Sequence, residues 1–516
     1  MGRPLGNKRL AVIIGAVASP AFLASRPWRI FLIAWLVYSV HFATNVVREH
    51  YPAFSIAEHG TFRVDEYQGF HPDIFVHRDG HSVIGNQVLV SALAAVPLFL
   101  LDPALDAIEN YSKARLAEQG VPDVEYRTTR RNSVNFFRLV KARGLDLRFG
   151  AATFITTALF MAPLTALFLV FFYQVLRRRG IDPTQATWLT FLLGFGTPLF
   201  YRATVLGHNM FVMYAMFASF VLLWGPAGEP VSHRRRALAG LFAGVTLATD
   251  YIGVIIMPLL WAYLFIPRLS SASWWQSFRE SLVMVVGSLP PIAFLLFSQW
   301  AMYGHPFWPG QHWMPNQNEY VAVGMRGFTL PAPDLFFKSL FDPSFGMYSW
   351  GPILLLSVVP VWRYAPGALV LPARERWFVW ASWVALLLFA SANQYSRLQF
   401  NSGFRYLLPL VPLLMLALAD HWIRIGWRLK AAITAVAVMH AWVIAVYREP
   451  VMKSWQLLFS EGPQLPWYRV LTLTSRPDSA WLGTWWPPTM LLVLTLAVAA
   501  GIWRYGSRLE ITHGAQ

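Results

Sequence analysis

Carboxylate and imidazole side chains are concentrated in one polar stretch of the chain, residues 45–87. The stretch reads NVVREHYPAFSIAEHGTFRVDEYQGFHPDIFVHRDGHSVIGNQ. Its acidic residues are Glu49, Glu58, Asp65, Glu66, Asp73 and Asp79. Because only 13% of the side chains in the chain are charged, this concentration favours a site for carboxylate chemistry over an ordinary solvated loop. A positioned carboxylate can act as a general base that removes a proton from a hydroxyl group.

Other chemistries fit the sequence less well. A metal site was considered for His71, Asp73, His77, Asp79 and His81, which alternate as ligands on one face of a strand would. Their spacing differs from zinc patterns such as HExxH, so no metal is expected. The nucleotide motifs GxGxxG and GxxxxGK[ST] and the GxSxG nucleophile elbow are absent, and the chain has no cysteine. We therefore expect no cofactor.

The composition is typical of a polytopic membrane protein. The chain has 516 residues, of which 56% are hydrophobic and 16% aromatic, whereas soluble domains carry about 25% charged residues. The net charge of +16 comes from Lys and Arg in short clusters between apolar runs, where the positive-inside rule expects them. The basic charge therefore indicates membrane topology and not a nucleic-acid partner.

The arginine clusters set the expected orientation of the first spans. A span needs about 20 mostly apolar residues, and residues 27–44 supply the first, running from inside to outside. The long apolar run 149–176 ends at Arg177, Arg178 and Arg179, which places its end in the cytoplasm. The short run 88–101 therefore does not cross the membrane. Residues 45–148 are predicted to form an outer loop, with helices at 46–59 and 87–101 lying along the membrane surface.

This pattern predicts an all-α membrane protein with about twelve transmembrane helices, periplasmic surface helices and both termini in the cytoplasm. The later spans are expected near 184–200, 207–225, 237–250, 252–267, 281–302, 347–363, 377–392, 405–421, 430–447 and 486–503. The predicted organisation is a cytoplasmic or interfacial N-terminus at 1–26, a catalytic module at 27–448 with a second large outer loop at 303–346, and a last part at 449–516. That last part holds an outer loop, one span and a short cytoplasmic tail.

Several cations near the predicted outer ends of spans are candidates for binding a phosphate. Nucleotide sugars and ATP are absent outside the cytoplasmic membrane, so a group transferred there must arrive already activated, usually on a lipid. A leaving lipid phosphate needs Arg, Lys or His donors nearby. The candidates are Arg202, His208, Lys338, Arg397 and Arg405. Arg405 is the strongest, because it stands at the mouth of an apolar helix on the side that the short-loop basic clusters avoid.

Five segments occur in an order that resembles a known superfamily. They are AEHGTFRVDEY, HPDIFVHRDGHSVIGNQ, GFGTPLFYRATVLGHN, SLFDPSFGMYSWGP and GFRYLLPLVP. Their order between Pro27 and Leu418 is similar to that of the bacterial GT-C glycosyltransferases, which include the aminoarabinose transferases and protein O-mannosyltransferases. Many relatives carry a lysine before Pro-Gly where this chain has Asn86 and Gln87, so a lysine contact to the donor is not expected in this loop.

The resemblance implies inverting transfer of a sugar from a polyprenyl-phosphate donor to an extracytoplasmic glycan, lipid or protein acceptor. It implies an active site on the periplasmic face of a bacterial inner membrane and a carboxylate base in the first outer loop. Relatives often place the base directly after the first span, where this chain has Glu49. We rank Asp65 and Asp73 first for this role, followed by Glu49 and Glu66.

A secondary transporter or flippase is the alternative of a different class, since twelve spans with inside termini also describe many transporters. Transporters usually have related halves and ionisable residues near the bilayer midplane. The predicted spans here are nearly free of charge, with Asp250 the main exception. Other lipid-linked chemistry, such as polymer ligation or the transfer of phosphoglycerol or acyl groups, also stays open.

Overall fold

The computed structural model describes residues 20–121, 131–225, 231–266, 274–315, 319–362, 364–365, 369–472 and 481–514. Within these ranges the protein has 24 α-helices and one two-stranded antiparallel hairpin. The all-α class predicted from the sequence is confirmed.

The first part of the fold surrounds the hairpin. Its helices are α1 (Pro20–Ala24), α2 (Arg26–Val40), α3 (His50–His59), α4 (Leu89–Leu100), α5 (Asp102–Gln119), α6 (Arg131–Ala142), α7 (Asp146–Thr156) and α8 (Ala162–Arg178). The hairpin pairs β1 (Ile74–Val76) with β2 (Ser82–Ile84), with Ile74 opposite Ile84. A π-helical turn at Thr157–Met161 joins α7 to α8.

The middle of the chain supplies most of the buried helices. These are α9 (Pro183–Phe195), α10 (Leu199–Ala203), α11 (His208–Leu223), α12 (His233–Thr249), α13 (Gly253–Phe265), α14 (Trp274–Tyr303), α15 (Gly310–Trp313), α16 (Glu319–Ala322), α17 (Pro333–Phe341) and α18 (Met347–Trp350).

The C-terminal part adds α19 (Ala373–Ala392), α20 (Val411–Trp422), α21 (Trp427–Tyr447), α22 (Val451–Glu461), α23 (Pro466–Thr472) and α24 (Trp486–Gly514). Short 3₁₀ turns occur at Asp65–Tyr67, Pro352–Val358, Gln394–Asn401 and Leu408–Leu410.

Four helices in the described ranges are long and apolar enough to cross a membrane. They are Asp146–Arg178, Trp274–Tyr303, Trp427–Tyr447 and Trp486–Thr512. The pair α4 and α5, bent by 77°, would make a fifth if it is one broken span. These helices support a membrane protein, but the predicted count of about twelve spans is wrong by this measure.

Prolines and glycines explain why several predicted spans are shorter helices. Within the predicted span 184–200, α9 ends at Phe195 with Gly196 as its C-cap, shortly before Pro198, because proline disfavours helical geometry in the residue before it. Gly351 and Pro352 likewise divide the predicted span 347–363 into α18 and a 3₁₀ turn. An apolar run in the sequence does not fix the length of the helix that it forms.

The predicted first outer loop, residues 45–148, has more structure than the sequence predicted. Helices α3 and α4 lie close to the expected positions 46–59 and 87–101, but α5 and α6 were not predicted. Arg148 organises this region, because its guanidinium contacts Asp106 at 2.9 Å and Glu109 at 2.6 Å and also pairs with Glu58. Glu58, one of the six clustered acids, therefore has a structural role.

Small residues let α12 cross α14 at close range. A Cβ atom on Gly240 would meet the Met284 carbonyl oxygen at 1.9 Å, and one on Gly287 would meet the Ala237 carbonyl oxygen at 2.1 Å. Such small-residue contacts are a common way for helices to pack in membranes. The crossing fixes the position of α12, whose C-terminal end carries Asp250.

Candidate active site

Three segments that are distant in sequence meet at the site. The Ala43 backbone amide donates to the Thr204 carbonyl at 2.8 Å, which joins the chain after α2 to the turn before α11. The His50 imidazole accepts from the Val47 amide at 3.1 Å and contacts the Thr156 hydroxyl at 3.1 Å. These bonds hold the segment that carries Arg48 and Glu49 against α7.

A buried histidine bridges two carboxylates at the centre of the site. Glu49 contacts His208 Nδ1, and His208 Nε2 lies 3.0 Å from Asp250 Oδ2. His208 is the first residue of α11, whereas Asp250 follows the last residue of α12. A doubly protonated imidazole can donate to both carboxylates, but a neutral one can donate to only one.

Arg48 connects this bridge to the hairpin. Its Nη1 donates to Asp73 Oδ2 at 3.0 Å, and its Nε lies 3.4 Å from Glu49 Oε1. Its Nη2 lies 3.3 Å from His208 Nε2. We call these five residues the charge cluster: Arg48, Glu49, Asp73, His208 and Asp250.

The electrostatics distinguish the two acids that flank Arg48. Burial opposes ionisation of Glu49, but His208 and Arg48 outweigh it and hold the pKa of Glu49 far below its usual range. Burial also opposes ionisation of Asp73, yet His71, Arg48 and Arg405 lower its pKa. The Glu49 side chain is 4% exposed, whereas the Asp73 side chain is 25% exposed. Asp73 is thus the acid of this pair that a ligand can reach.

Arg405 lies within electrostatic range of Asp73 and has no acidic partner in the described part of the chain. Its positive charge contributes to the lowered pKa of Asp73. Its Nη2 donates to the Tyr406 hydroxyl at 3.2 Å, whereas its Nε is buried with no hydrogen-bond acceptor. The Gln399 side-chain oxygen accepts from the Arg405 backbone amide at 3.2 Å and so fixes the turn. A cation held in this way is suited to an anionic ligand.

Arg202 has a supporting role next to Arg405. Its guanidinium donates to the carbonyls of Phe404 at 2.7 Å and of Ser402 and Gly403 at 2.9 Å. Burial lowers its pKa to about 10. Arg202 therefore holds the turn that presents Arg405, and its hydrogen-bonding capacity is largely used by the backbone.

Two of the four candidate bases, Asp65 and Glu66, make their contacts with residues that are not part of the charge cluster. The Asp65 carboxylate accepts from the Ser82 amide, and its Oδ2 lies 3.0 Å from His81 Nδ1. It thereby holds the start of β2 while its side chain remains 48% exposed. Glu66 contacts His59 at 3.2 Å on the surface. The geometry thus favours Asp73 over Asp65, although both ranked first from the sequence.

The remaining two candidate phosphate ligands share one acidic partner. Arg397 makes two contacts with Asp334, at 2.6 and 3.1 Å, and Lys338 lies 3.7 Å from the same carboxylate. The hydrogen bonds from Arg397 lower the pKa of Asp334 to about 2. Both cations are therefore already paired.

No known protein family, curated protein or solved structure matches the chain. The resemblance of its motifs to the GT-C glycosyltransferases stays a prediction. Any functional conclusion therefore depends on the chemistry of the site.

One group of described residues could hold a metal ion, namely Glu58, His59 and Glu66, whose ligand atoms lie within 4.8 Å of one another. This group is distinct from the histidines considered in the sequence. Because Glu58 is already paired with Arg148, we build no metal chemistry on it.

Sequence reasoning missed Arg48 and Asp250 as members of the site. Arg48 precedes the candidate base Glu49 in the sequence, and this position was the only indication of its role. Asp250 was noted only as a rare acid at the end of a predicted span, and such acids are often functional. His208 was predicted as a phosphate ligand but lies between two carboxylates.

Proposed function

We propose that the protein is an inverting membrane glycosyltransferase. It moves a sugar from a polyprenyl-phosphate donor to a hydroxyl group of a glycan, lipid or protein on the outer face of the bacterial cytoplasmic membrane. The observation that carries this proposal is that a carboxylate suited to accept a proton, Asp73, lies near cations suited to bind a phosphate. A partly exposed carboxylate lies 3.0 Å from Arg48 and within electrostatic range of Arg405, a cation with no acidic partner in the described ranges.

In this mechanism Asp73 is the general base. The acceptor hydroxyl attacks the anomeric carbon and gives its proton to the Asp73 carboxylate, while the bond from that carbon to the phosphate oxygen breaks. The phosphate leaves with the bonding electron pair from the face opposite to the incoming hydroxyl, so the configuration at the anomeric carbon inverts. Arg405 stabilises the negative charge that develops on the phosphate, and His71 and Arg48 lower the pKa of Asp73, which keeps it ionised in the free enzyme.

Donor binding should strengthen the base. The cations next to Asp73 lower its pKa in the free protein, and a low pKa makes a weak base. A bound phosphate would neutralise part of that positive charge, which raises the pKa of Asp73 towards its usual range. The carboxylate thus becomes a better proton acceptor when the donor is in place.

Glu49, His208 and Asp250 support the base in this account. Their contacts join the first outer loop to the ends of α11 and α12. Glu49 orients Arg48 from one side, and Arg48 in turn contacts Asp73. These residues position the chemistry, whereas Asp73 and Arg405 are proposed to contact substrate.

An apolar groove supports a lipid-linked donor. It lies between α4 and the π-helical turn, and α4 begins shortly after the hairpin that follows Asp73. A polyprenyl chain needs such a surface, because its burial is driven by the hydrophobic effect. The groove is lined by Leu93, Val96, Pro97, Leu100, Leu101, Leu159 and Phe160.

The transporter alternative has one observation in its favour, the bridge of His208 between Glu49 and Asp250. Chains of acids and histidines serve as proton relays in transporters. A proton-coupled transporter would take up substrate in proteoliposomes in response to a pH gradient. A glycosyltransferase would not require such a gradient.

The proposed function is tested with purified protein in detergent and undecaprenyl phosphates that carry radiolabelled sugars. Transfer to a membrane extract should occur without nucleotide and in the presence of EDTA, and the product should have the inverted anomeric configuration. Retention of configuration would instead indicate a covalent intermediate. Absence of transfer with every donor, together with gradient-driven uptake, would favour the transporter.

A further inference from the structure

Two outer segments meet in close backbone contact beside Asp73. A Cβ atom on Gly310 would lie 2.9 Å from the Gly85 backbone, and one on Gly85 would meet the Met314 sulfur at 2.2 Å. The Tyr303 hydroxyl donates to the Ile84 carbonyl at 2.5 Å. We call this contact the seam, formed by residues 84–87 at the end of the hairpin and 310–314 around α15.

The seam adjoins the proposed base. The Gly85 amide donates to the Asp73 carbonyl at 2.9 Å, directly beyond the last residue pair of the hairpin. Asn86 and Gln87 follow Gly85 immediately. A group bound between these residues and α15 would therefore lie next to the site at which Asp73 meets its substrate.

Buried polar atoms on both sides of the seam lack hydrogen-bond partners. Asn86 is 5% exposed and Gln87 is 7% exposed. The orphaned atoms are Asn86 Oδ1, Gln87 Nε2, Gln311 Oε1 and Trp313 Nε1. An unsatisfied buried polar group is destabilising, and buried polar groups are nearly always satisfied. Four on two touching segments point to a ligand that supplies the missing bonds.

The chemistry of these four groups selects the kind of ligand. Two are amide oxygens that accept hydrogen bonds, whereas one amide nitrogen and one indole nitrogen donate them. All four are uncharged, so they do not match a phosphate or an ammonium group, which favour charged partners. Hydroxyl groups both donate and accept, so a ring that carries several hydroxyls can satisfy all four.

We infer that the seam binds the hydroxyl groups of the transferred sugar. The inference rests on the proposed function in one respect, namely that the sugar arrives on a polyprenyl phosphate. Arg405 recognises the phosphate in this arrangement, and the seam recognises the sugar.

The test compares binding of two kinds of lipid to the full-length protein by native mass spectrometry. The probes are undecaprenyl phosphate and undecaprenyl phosphate linked to glucose, mannose or galactose. The wild type should bind at least one glycosylated lipid more tightly than the bare lipid. Gln87→Leu and Gln311→Leu should each reduce that preference about fivefold to tenfold, the value of one hydrogen bond, and should leave binding of the bare lipid unchanged.

Gln464→Leu is the matched control. Gln464 is also a buried glutamine, at 6% exposure, with a buried Oε1 that lacks a partner, but it lies after α22. Its replacement should not change the preference for a glycosylated lipid. If Gln87→Leu retains the wild-type preference, or if the wild type does not distinguish the sugar at all, the seam inference is overturned while phosphate binding by Arg405 can still stand.

The ligand-free protein gives a second measurement. Replacing an unsatisfied amide by an apolar side chain is close to neutral or stabilising, so Gln87→Leu should melt at or above the wild-type temperature. A clear fall would show that Gln87 is already satisfied, which overturns the inference.

If the wild type binds neither lipid, the proposed function fails and the seam is judged with soluble methyl hexosides. A thermal shift in the wild type that Gln87→Leu abolishes would support it. No shift would overturn it.

Discussion

Arg48 Nη1 lies 3.0 Å from Asp73 Oδ2 and joins the end of the first predicted span to the start of the hairpin. This contact brings a candidate base into a cluster that already holds Glu49 and His208. Burial opposes the ionisation of Asp73, but His71 and Arg48 outweigh it and lower the pKa of Asp73. Arg48 therefore links the stability of the cluster to the protonation of Asp73, the proposed base.

Replacing Arg48 should destabilise the protein. Arg48→Gln removes the cation that neutralises Glu49 and Asp73, and breaking a buried ion pair is strongly destabilising. Because the Arg48 side chain is partly exposed, we expect a loss of about 2–3 kcal/mol in the free energy of unfolding. The exposed Arg63 serves as a control, since Arg63→Gln should change stability by less than about 0.5 kcal/mol. Equal stability of the two variants would remove Arg48 from its bridging role.

Substitution of Arg405 should impair turnover without unfolding the protein. Arg405→Ala should lower kcat by about 10²-fold, as loss of one donor to a developing anion does. Arg405→Lys keeps the charge but loses the planar fork, so its loss should be smaller. Arg397→Lys is the control, because Arg397 is occupied by Asp334. Full activity of Arg405→Ala in a donor assay would exclude this residue from the phosphate site.

The membrane side of the first outer loop can be tested by labelling. The chain has no cysteine, so a single Glu118→Cys reports the position of α5 without background. An impermeant maleimide should label it from the periplasmic side of intact cells, whereas Arg508→Cys near the C-terminus should react only after lysis. Labelling of Glu118→Cys only from the cytoplasmic side would invert the proposed orientation.

The pKa of Asp73 should determine the fall in activity at low pH. The neighbours of Asp73 lower its pKa, so the reactive carboxylate persists as pH falls and is lost only below about 4, the usual aspartate value. The profile of kcat/KM, which reports the free enzyme, should therefore stay flat down to that range. The limb in kcat should lie at higher pH, since the bound phosphate offsets the cations. A kcat/KM limb above pH 5 would indicate another base.

The sequence predicted a region that contains part of the charge cluster, but it was not sufficient to choose among the acids there. Asp65 and Asp73 lie in the same polar stretch, and only the hairpin register places one beside Ser82 and the other beside Arg48. His208 and Asp250 are separated by 42 residues in the chain and meet because α11 and α12 pack together. Such long-range pairings leave no local pattern in a single sequence.

The sequence likewise predicted the class of the fold correctly but not the number of its spans. The all-α class followed from composition and apolar runs, and the predicted run 149–176 lies within the helix Asp146–Arg178. The number of spans did not follow, because Gly196 and Pro198, among others, end helices inside apolar runs. Hydropathy describes the environment of a segment more reliably than its helix length.

The identity of the base is tested most directly by one comparison of transfer rates. Purified wild type, Asp73→Asn and Asp65→Asn are assayed with the same polyprenyl-phosphate sugar, and melting temperatures show that all three are folded. General-base catalysis is worth about 10²–10⁴-fold, so Asp73→Asn should lose about that much, whereas Asp65→Asn should lose less than about tenfold. An active Asp73→Asn, or an equal loss in both variants, would contradict the assignment of Asp73 as the base.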